Sequence, residues 1–297
     1  HGENIYSVND TDGTTTSVDS SINASSTHVR FDYVNDVLYY VDGVGKPRKY
    51  DFSSSSEVST APGNAVTLIE HVGLLFYVDK ADQSLVYFSN FADYDTFTST
   101  DFQYFPAPKT SNRIVGLAKL NDVLYLFAKA DKFMLLGSDR PTFLPTYANA
   151  QKGTFSQESL VYDQNYIYFA SDDGIYRFNG TFEENIAEDI IDDYTSILSK
   201  DDINLELHDN KLYVWYRPNG SASTQECLVY NVLYDVWEGK DLNTPIGRSF
   251  SRHDTSNLFL QASNNSGTVY YSERASNDYN NLGDIVQSEA RTAYNHF

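Results

Sequence analysis

The sequence has one cysteine, one methionine, two tryptophans and eight prolines in 297 residues. A single thiol, Cys227, excludes an internal disulfide framework and any thiolate zinc cage. The longest apolar run, Val72 to Val78, is too short to cross a bilayer as a helix, so no membrane-spanning segment is expected. No basic segment followed by an apolar one opens the given sequence, so its start is not expected to be a signal peptide. The His1-Gly2-Glu3 start and the strand-like alternation that stops at Phe297 are read as cut ends of a longer chain. Basic residues are scarce: 21 Lys plus Arg stand against 41 Asp plus Glu, for a net charge of −20. On average such a surface repels phosphate, which argues against a nucleic-acid binder that grips by counterion release. Aromatic residues, by contrast, make up 15% of the chain, with 24 Tyr and 18 Phe. A disordered acidic chain lacks those rings, so this one folds, and its length suits one large domain or two small ones.

Short apolar or aromatic runs recur along the chain. They are Val37–Val41, Leu74–Val78, Val123–Phe127, Tyr166–Ala170, Leu212–Tyr216 and Leu258–Ala262. Their first residues are 37, 49, 43, 46 and 46 positions apart. A unit of roughly 40–50 residues built from short strands has the length of one propeller blade. A turn pair precedes most runs: Asn35-Asp36, Asn121-Asp122, Gln164-Asn165, Asp209-Asn210 and Ser256-Asn257. A second turn and a second aromatic strand follow, as in Asp172-Asp173-Gly174 before Ile175-Tyr176-Arg177-Phe178. Asp-Gly and Asn-Gly pairs supply the positive φ of tight hairpins. The runs are too short for helices and rich in Tyr, Val and Phe, which makes them strands.

These features predict an all-β fold, a single β-propeller domain over residues 1–297. Six blades are expected, with five to seven compatible with the spacing. The blade-like repeats are 28–62, 64–110, 112–150, 156–200, 203–242 and 246–297. The first run of each unit, apolar at nearly every position, is expected as the inner strand between neighbouring blades. The second run, which mixes Tyr with polar residues, is expected as an outer strand. Residues 1–27 carry two weak strands, expected as outer strands that pair beside 246–297 and close the ring. One stretch departs from strand spacing. Ile186, Ile190, Tyr194 and Ile197 lie four, four and three apart with acids between, predicting a short amphipathic helix around 184–195.

A search for chemistry finds little. None of the six histidines pairs with another at metal-ligand spacing. His208 and His253 occupy similar points of successive units, where repeat-equivalent residues ordinarily pack. Propeller glycosidases use two or three central carboxylates, and Asp32, Asp79, Asp163, Asp172, Asp209 and Asp254 are candidates by residue type alone. The ten arginines are scattered, and no Ser-x-Asp-x-Gly-x-Thr-Trp box occurs. Asp10-Thr11-Asp12-Gly13-Thr14 opens like a calcium loop but lacks the distal bidentate Glu, so it reads as a hairpin turn. No phosphate-cradling glycine motif is present. Asn23-Ala24-Ser25 and Asn179-Gly180-Thr181 read as turn chemistry. Tyr33, Tyr94, Tyr104, Tyr147 and Tyr234 fall near turns, where a lectin places sugar-stacking rings, although Tyr at strand ends also packs between blades. No catalytic, cofactor-binding or metal-binding residue is assigned, and no cofactor is expected.

The order of elements is more specific than any one motif. Leu74-Leu75-Phe76-Tyr77-Val78 is followed by Leu85–Asn90 and Asp93-Tyr94-Asp95-Thr96-Phe97. Next come Arg113–Leu117, Leu124–Phe127 and Met134–Gly137; Lys152–Leu160 then leads into Tyr166–Gly180, which contains Asp173-Gly174-Ile175-Tyr176. Leu228–Asn231 with Asp235–Glu238 continues the series. Over residues 30–290 this resembles the β-propeller of bacteriophage tail proteins, in particular the nozzle or hub subunits of short-tailed phages. The resemblance implies a non-enzymatic structural role in the virion. Its expected partners are other tail or neck subunits in a homo-oligomeric ring, with at most transient contact with passing DNA. A negative wall lets a genome slide past, although net charge also serves solubility alone. The competing expectation is a propeller that binds or cleaves carbohydrate.

Overall fold

The computed structural model describes residues 4–8, 15–23, 25, 29–105, 113–148, 152–218, 225–244, 246–252, 258–263, 269–272, 280–281, 284–285 and 288–289. The fold is all-β, with antiparallel sheets mostly of four strands and one short α-helix. Two compact units divide at Gly153/Thr154.

In the first unit, β1 (Ile5–Val8) and β2 (Thr15–Asp19) pair with each other as a separate two-stranded sheet. The expected partners in 246–297 lie in part outside the described residues. The end of β2 is tied to the next sheet. Asp19 accepts Arg48 Nε at 2.6 Å and the Tyr40 hydroxyl. Burial alone would raise the Asp19 carboxyl; these hydrogen bonds outweigh it and hold the group below its usual range. Three four-stranded sheets follow, each in simple sequential order. The first is β3 (Arg30–Val34), β4 (Val37–Val41), β5 (Arg48–Tyr50) and β6 (Ser55–Glu57). The second is β7 (Ala65–His71), β8 (Leu74–Asp79), β9 (Leu85–Asn90) and β10 (Asp93–Tyr104). The third is β11 (Ile114–Leu120), β12 (Val123–Ala128), β13 (Lys132–Leu136) and β14 (Leu144–Tyr147).

The second unit repeats the pattern. Its first sheet is β15 (Leu160–Tyr162), β16 (Ile167–Ser171), β17 (Gly174–Phe178) and β18 (Glu183–Asn185). After α1 (Ile191–Thr195) come β19 (Asn204–His208), β20 (Lys211–Tyr216), β21 (Gln225–Asn231) and β22 (Val236–Thr244), with Ser288–Glu289 added at the outer edge. A three-stranded sheet of β23 (Ile246–Arg252), β24 (Leu258–Ser263) and β25 (Val269–Ser272) completes the series.

Local chemistry explains the hairpins. Val34 pairs Val37, Leu120 pairs Val123 and His208 pairs Lys211, leaving two-residue turns at Asn35-Asp36, Asn121-Asp122 and Asp209-Asn210. All six turn residues have positive φ, between 46° and 60°. That backbone matches the right-handed twist of the flanking strands, and Asn and Asp tolerate it best after Gly. Asp173-Gly174 departs from expectation, since neither residue has positive φ. A Cβ at Gly174 would press on the end of the Asn185 side chain, which would have to shift.

All six runs are strands, but their place in the sheet is corrected. Each is the second strand: β4, β8, β12, β16, β20 and β24. The strand that meets the next sheet is the first: β3 lies against β7, β7 against β11, β15 against β19 and β19 against β23. Second strands are apolar because they have a partner at both edges; β8 and β16 are buried at every residue. The second aromatic run, Ile175–Phe178, is likewise the third strand and mostly buried; the outermost position falls to β18.

The helix is shorter than its predicted 184–195. Glu183–Asn185 pair with Tyr176–Phe178 as β18, so helical turns begin only at Glu188. The spacing argument nonetheless describes what is buried, since Ile186, Ile190, Tyr194 and Ile197 all enter one core cluster with Tyr168, Leu212 and Val214.

Candidate functional site

The acids singled out by residue type serve separate local roles. Asp79 closes its own turn, accepting Asp82 N–H at 2.7 Å. Asp163 accepts Asn165 N–H and Tyr166 N–H, both at 2.7 Å, and shapes the β15–β16 turn. Asp172 and Asp209 are exposed in hairpin turns. Asn23 and Asn179 accept backbone N–H groups two residues on, which is turn chemistry. His208 is buried at the end of β19. His253, Asp254 and Asp10–Thr14 lie outside the described residues, and so does any meeting of His208 with His253. Tyr33, Tyr104, Tyr147 and Tyr234 are exposed, whereas Tyr94 is half-buried against Tyr39 with ring centroids 6.1 Å apart. Among the described residues no group of three or more His, Cys, Asp or Glu is placed to hold a metal ion. No helix there is long and apolar enough to cross a membrane.

Asp32 is the exception, because the fold places it beside other charges. The first strands β3, β7 and β11 run side by side and bring Asp32, Glu70, His71 and Lys119 together. Asp32 Oδ2 accepts Glu70 N–H at 2.5 Å, and Lys119 Nζ donates to Glu70 Oε2 at 3.4 Å. Glu70 Oε1 also accepts Gly73 N–H at 2.9 Å, which fixes the carboxylate over its own hairpin. Burial pushes the Asp32 carboxyl above the ordinary range; the Glu70 N–H and Lys119 pull it partly back. Burial, reinforced by Lys119, pushes His71 the other way. Its Nε2 has no hydrogen-bond partner among the described residues. The arrangement fastens three first strands through charge-assisted contacts. Asp32 accepts two backbone donors, from Glu70 and Tyr33, which fix its carboxylate in place. Glu70, His71 and Lys119 were missed in the sequence; the available signal was their position just before a two-residue hairpin turn.

A pH dependence follows. The unfolded chain protonates His71 near the ordinary value of about 6.5, and the folded chain only at lower pH. Stability therefore falls as pH drops below about 6.5, because protons favour the unfolded state. Asp32 acts oppositely and lower, since its raised carboxyl relieves a penalty only as it protonates, nearer the carboxylate range. The urea midpoint of the wild type should fall between pH 7 and 5.5, and His71→Phe should flatten that slope. An unchanged slope in the variant would remove His71 from the account.

A second feature recurs in both units: a cation on the third strand clamps the following sheet. Lys49, paired with Tyr39, donates to Asp95 Oδ2 at 2.5 Å, and the Tyr39 hydroxyl donates to Asp95 Oδ1 at 3.1 Å. Arg177, paired with Tyr168, donates to Glu184 at 2.7 Å and to Asp235 at 3.0 and 3.3 Å. Its guanidinium also lies 5.5 Å above the Tyr166 ring, and Tyr230 donates to the same Asp235. The Tyr230 hydroxyl, then Arg177, holds the Asp235 carboxyl below its ordinary range. Arg177→Ala should lower unfolding free energy by about 1–2 kcal/mol, the range for charged hydrogen bonds after discounting for two largely exposed carboxylates. Chemical denaturation measures it, and Arg177→Lys should recover only part, because one ammonium cannot serve both acids and the ring.

No protein-family model matches the chain, and no curated protein matches it by sequence. Solved structures share its all-β sheet architecture. The chain is similar to PorZ, a bacterial surface component of the type-IX secretion system of Porphyromonas gingivalis. Identity is 12% and the TM-score 0.55, over 92% of this chain and 36% of PorZ. It is also similar to the computationally designed Ika8 protein, with 11% identity, TM-score 0.51 and coverage of 92% and 81%. Hsv2 of Kluyveromyces lactis aligns at 7% identity and TM-score 0.51, over 79% of this chain and 69% of that one. At such identities the likeness is one of fold.

Proposed function

We propose that the chain forms a single six-bladed β-propeller and is a non-enzymatic structural component of a bacteriophage tail, of the nozzle or hub kind. The observation that carries the propeller reading is the neighbour relation within each unit. Sheets of three to five strands follow one another with first strand against first strand, which is the contact radially arranged blades make. The tail assignment rests on the ordered residue series over 30–290 and on the charge of −20. Of the carboxylates weighed for a glycosidase, Asp79, Asp163, Asp172 and Asp209 sit in separate turns and Asp32 ties β3 to β7, which favours a structural part over a catalytic one. In this reading the partners are copies of the chain in a ring and adjoining tail subunits, and DNA passes without being held.

Electron microscopy of the purified protein should show five to seven radial blades. Antibodies raised to the chain should decorate the tail, not the head, of phage particles that carry it. Blades without tail decoration would keep the fold and remove the function. Glycan turnover abolished by an Asp→Asn change would reverse the ranking toward carbohydrate.

A further inference from the structure

The end of the first sheet carries an aromatic corner that folding alone does not explain. Tyr33, at the end of β3, and Tyr50, at the end of β5, both contact Phe52. The Tyr33–Phe52 centroids are 6.1 Å apart at 79°, and the Tyr50–Phe52 centroids 5.3 Å apart at 49°. Tyr33 is 56% exposed and Phe52 60%. Phe52 also has φ of +64°, the left-handed backbone that a bulky residue rarely adopts.

A sister turn shows what this position ordinarily requires. Asp51 N–H donates to Ser54 O at 3.3 Å, and Asn179 N–H donates to Phe182 O at 3.2 Å. Asp51 Oδ1 accepts Ser53 and Ser54 N–H; Asn179 Oδ1 accepts Thr181 and Phe182 N–H. The second residue of that turn is Gly180 at φ +93°, where the first sheet has Phe52. A strained, largely exposed ring in a glycine position gains little from burial. Strain of this kind persists where a side chain is wanted in place.

The charges around the corner are acidic. Asp36 accepts the Tyr33 hydroxyl at 2.7 Å, and Asp51, between Tyr50 and Phe52 in sequence, is held ionised with its carboxyl pulled down to about 2 by Ser54 and Ser53. The neighbouring cations are engaged elsewhere, Arg48 with Asp19 and Lys49 with Asp95. The chain already shows what such a set holds: Arg177 sits over the Tyr166 ring between the carboxylates of Glu184 and Asp235. Rings set at 49° and 79° form a corner, unlike the flat platform on which a sugar stacks, and angled rings beside carboxylates suit a cation.

We propose that Tyr33, Tyr50 and Phe52, with Asp36 and Asp51, bind a basic side chain, arginine above all, presented by a segment of a partner protein. The negative field of the chain steers such a partner toward the corner. All five residues belong to the first sheet, so the site stands or falls apart from the tail reading.

The test uses a short arginine–glycine peptide as probe and its citrulline counterpart, of the same shape without charge, as control. Binding is followed by NMR shifts of the full chain at about 0.15 M salt. The arginine peptide should bind in the range of about 1 mM or tighter. Citrulline, Phe52→Asn and Asp36→Asn should each weaken it roughly tenfold or more, the scale of one lost contact of this type. Phe52→Asn should melt at or above the wild-type temperature, because Asn tolerates the left-handed backbone. Equal binding of citrulline, full binding by either variant, or no binding at about 5 mM would overturn the proposal. So would a melting temperature of Phe52→Asn lowered as far as by a core truncation, or displacement of the probe by a neutral oligosaccharide.

Discussion

Phe76→Ala should lower the unfolding free energy by about 3–5 kcal/mol, the range for deleting a buried aromatic ring. Phe76 is fully buried at the centre of β8 and pairs across the sheet with Ile69 and Phe88. Its ring lies 5.7 Å from both Phe88 and Phe143, and those two are 5.4 Å apart, so three rings fill the space between the second and third sheets. Truncation removes one corner of a triangle whose other corners sit on β9 and just before β14, and rigid strands cannot close the void. The urea midpoint should fall while its slope stays constant. Phe182→Ala is the control: that ring is 73% exposed in a hairpin, and its loss should stay within about 0.5 kcal/mol. A loss below about 1 kcal/mol at Phe76 would mean that the rings do not share one packed core.

Gly153→Ala should also be strongly destabilising, for a different reason. A Cβ at Gly153 would fall on the Ala128 carbonyl oxygen and on the backbone of Lys129 and Ala130. Backbone cannot rotate aside as a flexible side chain can, so one methyl should cost about 1–3 kcal/mol or more. Gly43→Ala separates collision from conformation. Gly43 has φ of +73° with nothing within 4 Å of an added Cβ, so only backbone strain of about 1 kcal/mol applies. Thermal melts of the two variants should rank Gly153→Ala well below Gly43→Ala. The reverse ranking would place the 128–130 turn away from Gly153.

Several elements are legible in the sequence itself. Asn35-Asp36, Asn121-Asp122 and Asp209-Asn210 announce two-residue hairpins, because those side chains tolerate positive φ and few others do. The equivalent turn at Val72-Gly73 does not announce itself. Val72 has φ of +46°, which the strand pairing of His71 with Leu74 imposes against the preference of a β-branched residue. The run Ile186, Ile190, Tyr194, Ile197 correctly marks a buried face, yet Asn185 is a strand residue because β17 offers it a partner. Of the charged line, Asp32 was visible only as one acid among many. Glu70 and Lys119 are 49 residues apart, and no local pattern joins them.

Composition and short-range pattern determine that the chain is all-β, where its hydrophobic strands and many of its turns lie, and that it is strongly acidic. These properties depend on backbone preference and on the two-residue alternation of a strand, both of which act over a few positions. Which edge of each sheet meets its neighbour was decided only by the tertiary structure. A run such as Leu74–Val78 reads as covered on both faces, and any strand paired at both edges satisfies that, whether second or innermost. Asp235, which Arg177 reaches in the following sheet, lies 58 residues further on, and the strain at Phe52 stands out when its turn is laid beside that of Gly180. Contacts between sheets depend on how whole faces stack, and a stretch of sequence carries no record of the face it will meet.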